Sequence, residues 1–551
     1  MRHRRVPLIL ILAVLTGLIA WPIVSHYRLK RAVARYADKL TAQGEKLTVP
    51  ELAPPPPLKS ENAADAVFSI ARRLDTFNRS NLPPIMSRVV PGRALVGWRE
   101  PVLPNGTVTN VWPGLRAEVG ARLELLAEVH AALQKPALVV PLDYSQAFQA
   151  PLVHLVTLRK LALWLMAAAI LELHEGRTSE AVEHLGALVT LVERFQEPLL
   201  DSALVRLGCS RIAVPAVWEA LQADDLTEAQ LAALQKQWET LDYSGQIEAA
   251  LAMELALQRE LIAQMRDSRQ TAVAMVGQPQ TSTILHELKE LGETAIRDPG
   301  TALKELLARY PGYWRWKWWR SYQDELALMR AAQAAIAAVR QAREEGCFGT
   351  ALARLEEKTG PFPDEPLGSG FWSGWSDIPH LYSSLVYRLR DSEIERRLVI
   401  TAIALRRYQL RYRGLPEQLE ALVPEFCGDV PRDPVDGRPL RYRRLSHGEF
   451  LLYSVGDNGV DDGGDATPTD SEKFAGSWWK SRDAVWSLPA REQERWLFHL
   501  RMRAERASGA PTAPIPVVTN DLPGPVLEEL LRLTRRHPFT VVLTNRTAAP
   551  R

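Results

Sequence analysis

Cysteine is nearly absent. The 551 residues hold three, Cys209, Cys347 and Cys427, far apart and none in a CxxC pair. That argues against a disulfide framework or a cysteine-built zinc site; the odd count leaves at least one thiol free or intermolecular, and burial as a small hydrophobe is the reading adopted. Excess charge is missing too: 67 bases oppose 65 acids, a formal net charge of +2. No global field therefore draws the chain to nucleic acid, and none is expected as a partner. The eleven histidines are scattered singly. His174–Glu175 and His286–Glu287 open like a zinc-protease motif, but neither has the second histidine that would put two ligands on one helix face. A GxSxG elbow, a GxxxxGK[ST] phosphate loop and a GxGxxG turn after a strand are all missing. The chain therefore reads as non-enzymatic. The alternative is a hydrolase with an unrecognised site, built from scattered acids such as Glu254, Glu260 and Asp324.

What is present is a folding composition, 46% hydrophobic and 24% charged, long enough for two to four domains. Near the N-terminus, Arg2, Arg4 and Arg5 precede an uncharged run from Val6 to Val24, and Arg28, Lys30 and Arg31 follow it. As a helix this run spans about 28 Å, close to the hydrocarbon thickness of a bilayer. Trp21 and Tyr27 suit an interfacial aromatic belt. With no A-x-A cleavage site after it, the run reads as an uncleaved membrane anchor, residues 1–27, and no second apolar stretch of spanning length is expected.

The fold expected is mainly α, ending in a small α+β module with a β-hairpin. A juxtamembrane helix and a Pro-rich linker (Pro54–Pro57) occupy residues 28–115, with short strands near Val89–Val90 and Ala94–Leu95. A helical array follows over 116–345, where apolar residues recur at helical spacing. One continuous helix is expected from Leu115 to Leu133, a hairpin around Gly176, and a further helix opened by a T-x-x-Q capping box at Thr227–Gln230. The hairpin resembles a tetratricopeptide repeat at Ala169, Gly176, Ala181 and Leu185, which implies a repeat-like, binding or scaffolding role. Residues 346–391 read as a Gly/Pro/Trp-rich loop, and a new amphipathic helix starts at 392. "LRYR" and "EFLLYSV" then flank a Ser446–His447–Gly448 turn as a hairpin. The tail, 488–551, holds a helix near 525–535 and a strand in "FTVVLTN".

Two stretches stand out. In "GYWRWKWWRSYQDE", Trp314, Trp316, Trp318 and Trp319 alternate with Arg315, Lys317 and Arg320. Such interleaving suits base or sugar stacking, or a membrane interface with cations reaching headgroups. The reading adopted is a shared aromatic cluster with Trp372, Trp375, Trp478 and Trp479, since nine of the sixteen tryptophans fall between 314 and 486. In "LLYSVGDNGVDDGGDA", Asp457, Asp461, Asp462 and Asp465 crowd among glycines, with Asp470 close behind. Calcium takes six to eight oxygens, which carboxylates, Asn458 and turned-in carbonyls supply. A solvated acidic turn is the other reading.

The residues around this loop carry a resemblance. Pro416, Asp433–Pro434, Gly437, Tyr442, Tyr453–Ser454, Gly456, Gly459, Gly463–Gly464, Asp483 and Trp486 follow the order of motifs in the heads of type II secretion major pseudopilins. The module from 392 to 487 is similar to such a head over about 95 residues. The resemblance implies a calcium-stabilised loop. Its ligands would be the Val455 carbonyl, Asn458 (where the family has Asp, with Asp457 beside it able to substitute), Asp461, Asp462 and Asp483. The N-terminus departs from that family: "RHRRVPLILILAV" has neither a Gly cleavage site nor the Glu that follows it. The whole chain resembles single-pass bacterial inner-membrane proteins carrying such a module. This implies a periplasmic body, protein partners, and a scaffold or binding role in the cell envelope. The alternative implied is an accessory of a type II secretion or pilus-like assembly.

Overall fold

A computed structural model describes residues 5–74, 77–144, 152–275, 313, 316–359, 378–469, 480–506, 515–518 and 541–544. The described part is mainly helical with a small share of strand.

Helix α1 (Arg5–Ala42) is uninterrupted, so the apolar run and the expected juxtamembrane helix form one rod and the boundary drawn at 27 falls inside it. The single turn α2 (Val49–Leu52) is capped reciprocally by Thr48 and Glu51, and α3 (Ala64–Arg73) buries Val67, Ile70 and Ala71 on one face. The strands expected near 89 and 94 are β1 (Ser87–Val90) and β2 (Arg93–Leu95), an antiparallel pair. Where one helix was expected from Leu115 to Leu133 there are two, α4 (Trp112–Gly120) and α5 (Leu123–Ala132). The break follows Gly120, a poor helix former, and lets Leu125, Leu126 and Val129 face the core.

The array continues with α6 (Val153–His174), α7 (Thr178–Arg194), α8 (Leu200–Ala220), α9 (Glu228–Glu239), α10 (Tyr243–Asp267) and α11 (Arg269–Met275). Gly176 turns α6 into α7 at φ +75°. Thr227 caps α9 as its sequence predicts, its amide donating to Gln230 Oε1 at 2.9 Å and its hydroxyl oxygen accepting from the Gln230 amide at 3.3 Å. Among the described residues α6 is, by length and composition alone, apolar enough to cross a membrane. This corrects the expectation of no second such stretch. The physical reason is burial: Leu161, Trp164, Leu165, Ala167, Ala168 and Ile170 are wholly covered, and α3, α4, α7 and α8 pack around the helix. A helix apolar on all sides is what a core position requires.

After α12 (Ser321–Glu345) and α13 (Gly349–Thr359) comes α14 (Ile378–Tyr412), which begins well before 392. The array–module boundary thus falls within one helix. Of the face expected from helical spacing, Ile394, Leu398, Thr401 and Leu405 are buried, Tyr408 is half-buried and Tyr412 is exposed, while Val399, Ala402 and Ile403 are buried as well. The helix packs on α8, α9, α10 and α12, so it belongs to the array as much as to the module.

The module proper has β3 (Arg441–Arg444) and β4 (Phe450–Ser454) as the expected antiparallel hairpin, with β5 (Ala484–Val485) added beside β4. Next, β6 (Leu488–Pro489) pairs with β2 in parallel and ties the chain's beginning to its end. A helix unforeseen in the sequence, α15 (Glu492–Arg506), buries Leu497, Phe498 and Leu500. Finally, β7 (Ile515–Val518) and β8 (Val541–Thr544) pair in parallel. The helix expected at 525–535 lies outside the described residues.

Candidate functional site

The acidic loop leaves β4 at Ser454, and a buried carboxylate fixes its start. Asp433, fully covered, accepts from the Val435 amide at 2.9 Å, the Ser454 hydroxyl at 2.7 Å and the Val455 amide at 2.9 Å. Arg441 Nη1 adds a contact at 3.1 Å. Burial raises the Asp433 carboxyl above its usual range, against the pull of those donors. The Asp433–Pro434 turn, seen in the sequence as a motif, is therefore the clamp that holds the hairpin and the loop together.

Gly456 comes next at φ +65°. A Cβ there would lie 2.3 Å from the Arg482 carbonyl oxygen and 2.6 Å from that of Ser481, so this crossing of two strands of backbone admits only glycine. A second buried carboxylate closes the far side. Asp483, also fully covered, accepts from the amides of Asp462 at 3.4 Å, Gly464 at 2.8 Å and Asp465 at 3.0 Å. Burial raises its carboxyl, and Asp461 nearby adds to the effect.

The other predicted ligands divide. Asp461 accepts from the Tyr453 hydroxyl at 2.9 Å and the Gly463 amide at 3.1 Å, and faces Arg441 at 3.3 Å. Against burial, these donors hold its carboxyl below the usual range. Asp462 accepts from the Asn458 amide nitrogen at 2.6 Å. Asp465 turns to Thr467, which lowers its carboxyl, and to Arg482 at 3.4 Å. Asp457 points elsewhere, to the buried Arg390 at 2.8 Å. Val455 is buried with its amide committed to Asp433. The loop thus gathers the amides of Asp462, Gly464 and Asp465 on Asp483, while the carboxylates of Asp461, Asp462, Asp465 and Asp457 turn to Arg441, Asn458, Arg482 and Arg390. Among the described residues no group of three or more His, Cys, Asp or Glu side chains is arranged to hold a metal ion.

No family model, curated protein or solved structure matches the chain.

Of the eight tryptophans expected to share a cluster, Trp314, Trp372, Trp375, Trp478 and Trp479 lie outside the described residues. Trp316 is buried and donates its indole N–H to Asp324 at 2.9 Å. Trp318 and Trp319 face outward, 43% and 45% exposed. The acids considered for hydrolysis are taken up separately: Glu254 by Gln258 at 2.5 Å, Glu260 by Gln264 at 3.4 Å and Asp324 by Trp316.

Sequence patterning missed several buried charges. Glu219, inside α8, accepts from the amides of Met86 at 2.8 Å and Gly97 at 3.0 Å. It holds Met86 in the left-handed region, at φ +43°. Glu395 on α14 meets Arg211 at 3.2 Å. Burial pushes both carboxyls up to about 7. On local pattern, each reads as an ordinary polar helix position. A cavity of about 330 Å³ where the array meets the module is lined by Asp242, Arg343, Glu393, Arg396, Arg397 and Pro434 among others. Its acids and bases pair, Arg396 with Glu393 at 2.9 Å along α14 and Arg343 of α12 with Asp242, which leaves it balanced in charge.

Proposed function

We propose that the chain is a non-enzymatic envelope protein, anchored by residues 6–24 in a bacterial inner membrane. The repeat-like array, with its tetratricopeptide-type hairpin, is its scaffold or binding body, and the C-terminal module is a pseudopilin-like head. The observation that carries the head reading is the double clamp. Asp433 and Asp483, both buried, gather backbone amides from either end of the acidic loop, with Gly456 at the crossing between them. Those are the positions at which the motif order resembles a pseudopilin head.

Calcium belongs to this reading as a stabiliser. Asp461, Asp462, Asp465 and Asp483 would hold it, their side chains turning inward on binding, since the amides of Asp462 and Asp465 already sit on Asp483 and burial, with the like charge of Asp461 beside it, raises the Asp483 carboxyl. A bound cation would relieve that repulsion and supply charge that the backbone amides supply only in part. Asp457 is left out of this set because its carboxylate faces Arg390, which it shares with Asp391.

One observation favours a second reading of the same loop. Arg390, Arg441 and Arg482 already pair with Asp457, Asp461 and Asp465, so internal guanidinium groups would take the cation's place. Thermal unfolding of the full chain in calcium and in chelator separates the two. Under the calcium reading the midpoint rises with calcium, because a ligand bound only by the folded state must stabilise it, and Asp461→Asn with Asp462→Asn abolishes the rise. Equal midpoints for the wild-type chain sink the calcium reading and leave the arginine-paired loop.

A further inference from the structure

The segment before α12 does something its sequence pattern leaves open. Residues Trp316–Arg320 form a single π-helical turn, a rare geometry that recurs at functional sites. Trp316 is the turn's root, buried and bonded to Asp324. The next two indoles, Trp318 and Trp319, are turned outward. An exposed pair of the largest apolar side chains is costly in water unless something covers it.

Their neighbour is the anchor helix. The turn packs against α1, where His26 Nδ1 meets the Trp318 carbonyl oxygen at 3.0 Å and the two rings lie 4.8 Å apart between centroids. Around His26, Ile23, Val24 and Tyr27 are 47%, 63% and 55% exposed. Five exposed apolar or aromatic side chains therefore border one site, at the level where the uncharged run of α1 ends. Bases surround it: Arg28, Lys30, Arg31 and Arg35 are exposed on α1, and Lys317 and Arg320 lie on the turn itself, Arg320 also facing Asp324 at 3.8 Å. The first acid on α1 is Asp38.

We infer that Trp318, Trp319 and Tyr27 form one aromatic collar at the membrane–water interface, with the surrounding bases on anionic phospholipid headgroups. The occupant is the bilayer surface around α1. Indole rings favour headgroup depth because one edge is apolar and the N–H wants a polar partner, and each base near an anionic surface gains from its potential. The collar gives the body a second point of attachment, which fixes its height and rotation about α1. This rests on the anchor reading above.

The test uses the full chain in nanodiscs of phosphatidylcholine with phosphatidylglycerol, in a Cys347→Ser background, the other two thiols being buried. Nitroxide labels are placed singly by Leu10→Cys, Trp319→Cys and Glu417→Cys, the last on a side chain 92% exposed. Collisions with oxygen and with a water-soluble nickel chelate report depth. The expected result is a label at 319 intermediate between 10, in hydrocarbon, and 417, in water. If 319 matches 417 while 10 reads hydrocarbon, the collar is overturned and the anchor stands. If 10 also reads water, the anchor reading falls and takes the collar with it. In discs of phosphatidylcholine alone, the 319 label is expected to shift toward water. An unchanged depth there overturns the assignment of the bases to anionic headgroups.

Discussion

At the residue scale the molecule's unusual feature is how many carboxylates it hides. Glu219, Glu395, Asp433 and Asp483 are all nearly or wholly covered, and each is answered by backbone amides, an arginine or both. Burial alone would make such groups expensive. Aimed at otherwise orphaned N–H groups they become clamps, and removing one would strand its donors at about 1–3 kcal/mol each. Glu395 offers a clean pH test. Burial pushes its carboxyl up to about 7, with Arg211 opposing and Asp391 reinforcing. The folded state thus keeps a proton that the unfolded chain loses near 4.5. This contribution is complete below about pH 4.5 and disappears as pH rises through about 7. Compared with Glu395→Gln, which shares every other titrating group, the wild-type chain should lose up to about 3 kcal/mol of relative stability between pH 5 and 8. Urea unfolding across that range checks it, and a pH-independent difference would refute it.

Among the elements, the β3–β4 hairpin with its loop is the most locally encoded. Alternating residues, the Ser446–Gly448 turn and the glycines of the loop all point to the observed path, and the structure adds which contacts enforce it. Gly456 is the sharpest case, because its φ is +65° and backbone oxygens crowd the place of a Cβ. Gly456→Ala should cost at least about 2 kcal/mol from left-handed strain, before any clash is relieved. Gly428→Ala, with open space around it, serves as the control and should change little. Chemical denaturation of both variants decides the point, and similar midpoints would mean that the crossing is looser than drawn. Helix α15 illustrates the opposite. Its few apolar residues sit in a strongly charged segment, and it is held by partners nearly four hundred residues away: Glu100 takes Arg495 at 2.8 Å and His499 at 3.0 Å.

For the whole molecule, the division into array and module dissolves into one core. The main buried cluster runs from Val33 to Met502 without a gap between the two. Trp218 of α8 donates its indole N–H to the Ser487 carbonyl oxygen at 2.7 Å, and Gln235 of α9 donates to that of Phe426 at 2.6 Å. A fragment of residues 390–490 would expose the array-facing side of α14, with Val399, Ile403 and other wholly covered residues in water. Such a fragment should lack a cooperative thermal transition, read by near-ultraviolet circular dichroism or calorimetry. A sharp melt would establish the module as an independent domain after all.

The sequence by itself determined what depends on near neighbours. The positions of α7 and α9, the Thr227 capping box, the Gly176 turn and the 441–454 hairpin follow from periodicity, caps and turn residues acting over a few positions. Tertiary structure decided what depends on distant ones. The composition of α6 suits a bilayer and a protein core equally, and only the helices packed around it place it in the core. Glu219 and Glu395 look like surface acids until Met86, Gly97 and Arg211 arrive from elsewhere in the chain. Asp457 and Asp461 are four residues apart in one acidic run, yet Arg390 claims the first while Arg441 meets the second. Hydropathy and spacing are local sums, whereas burial and ion pairing are set by which residues the fold brings together.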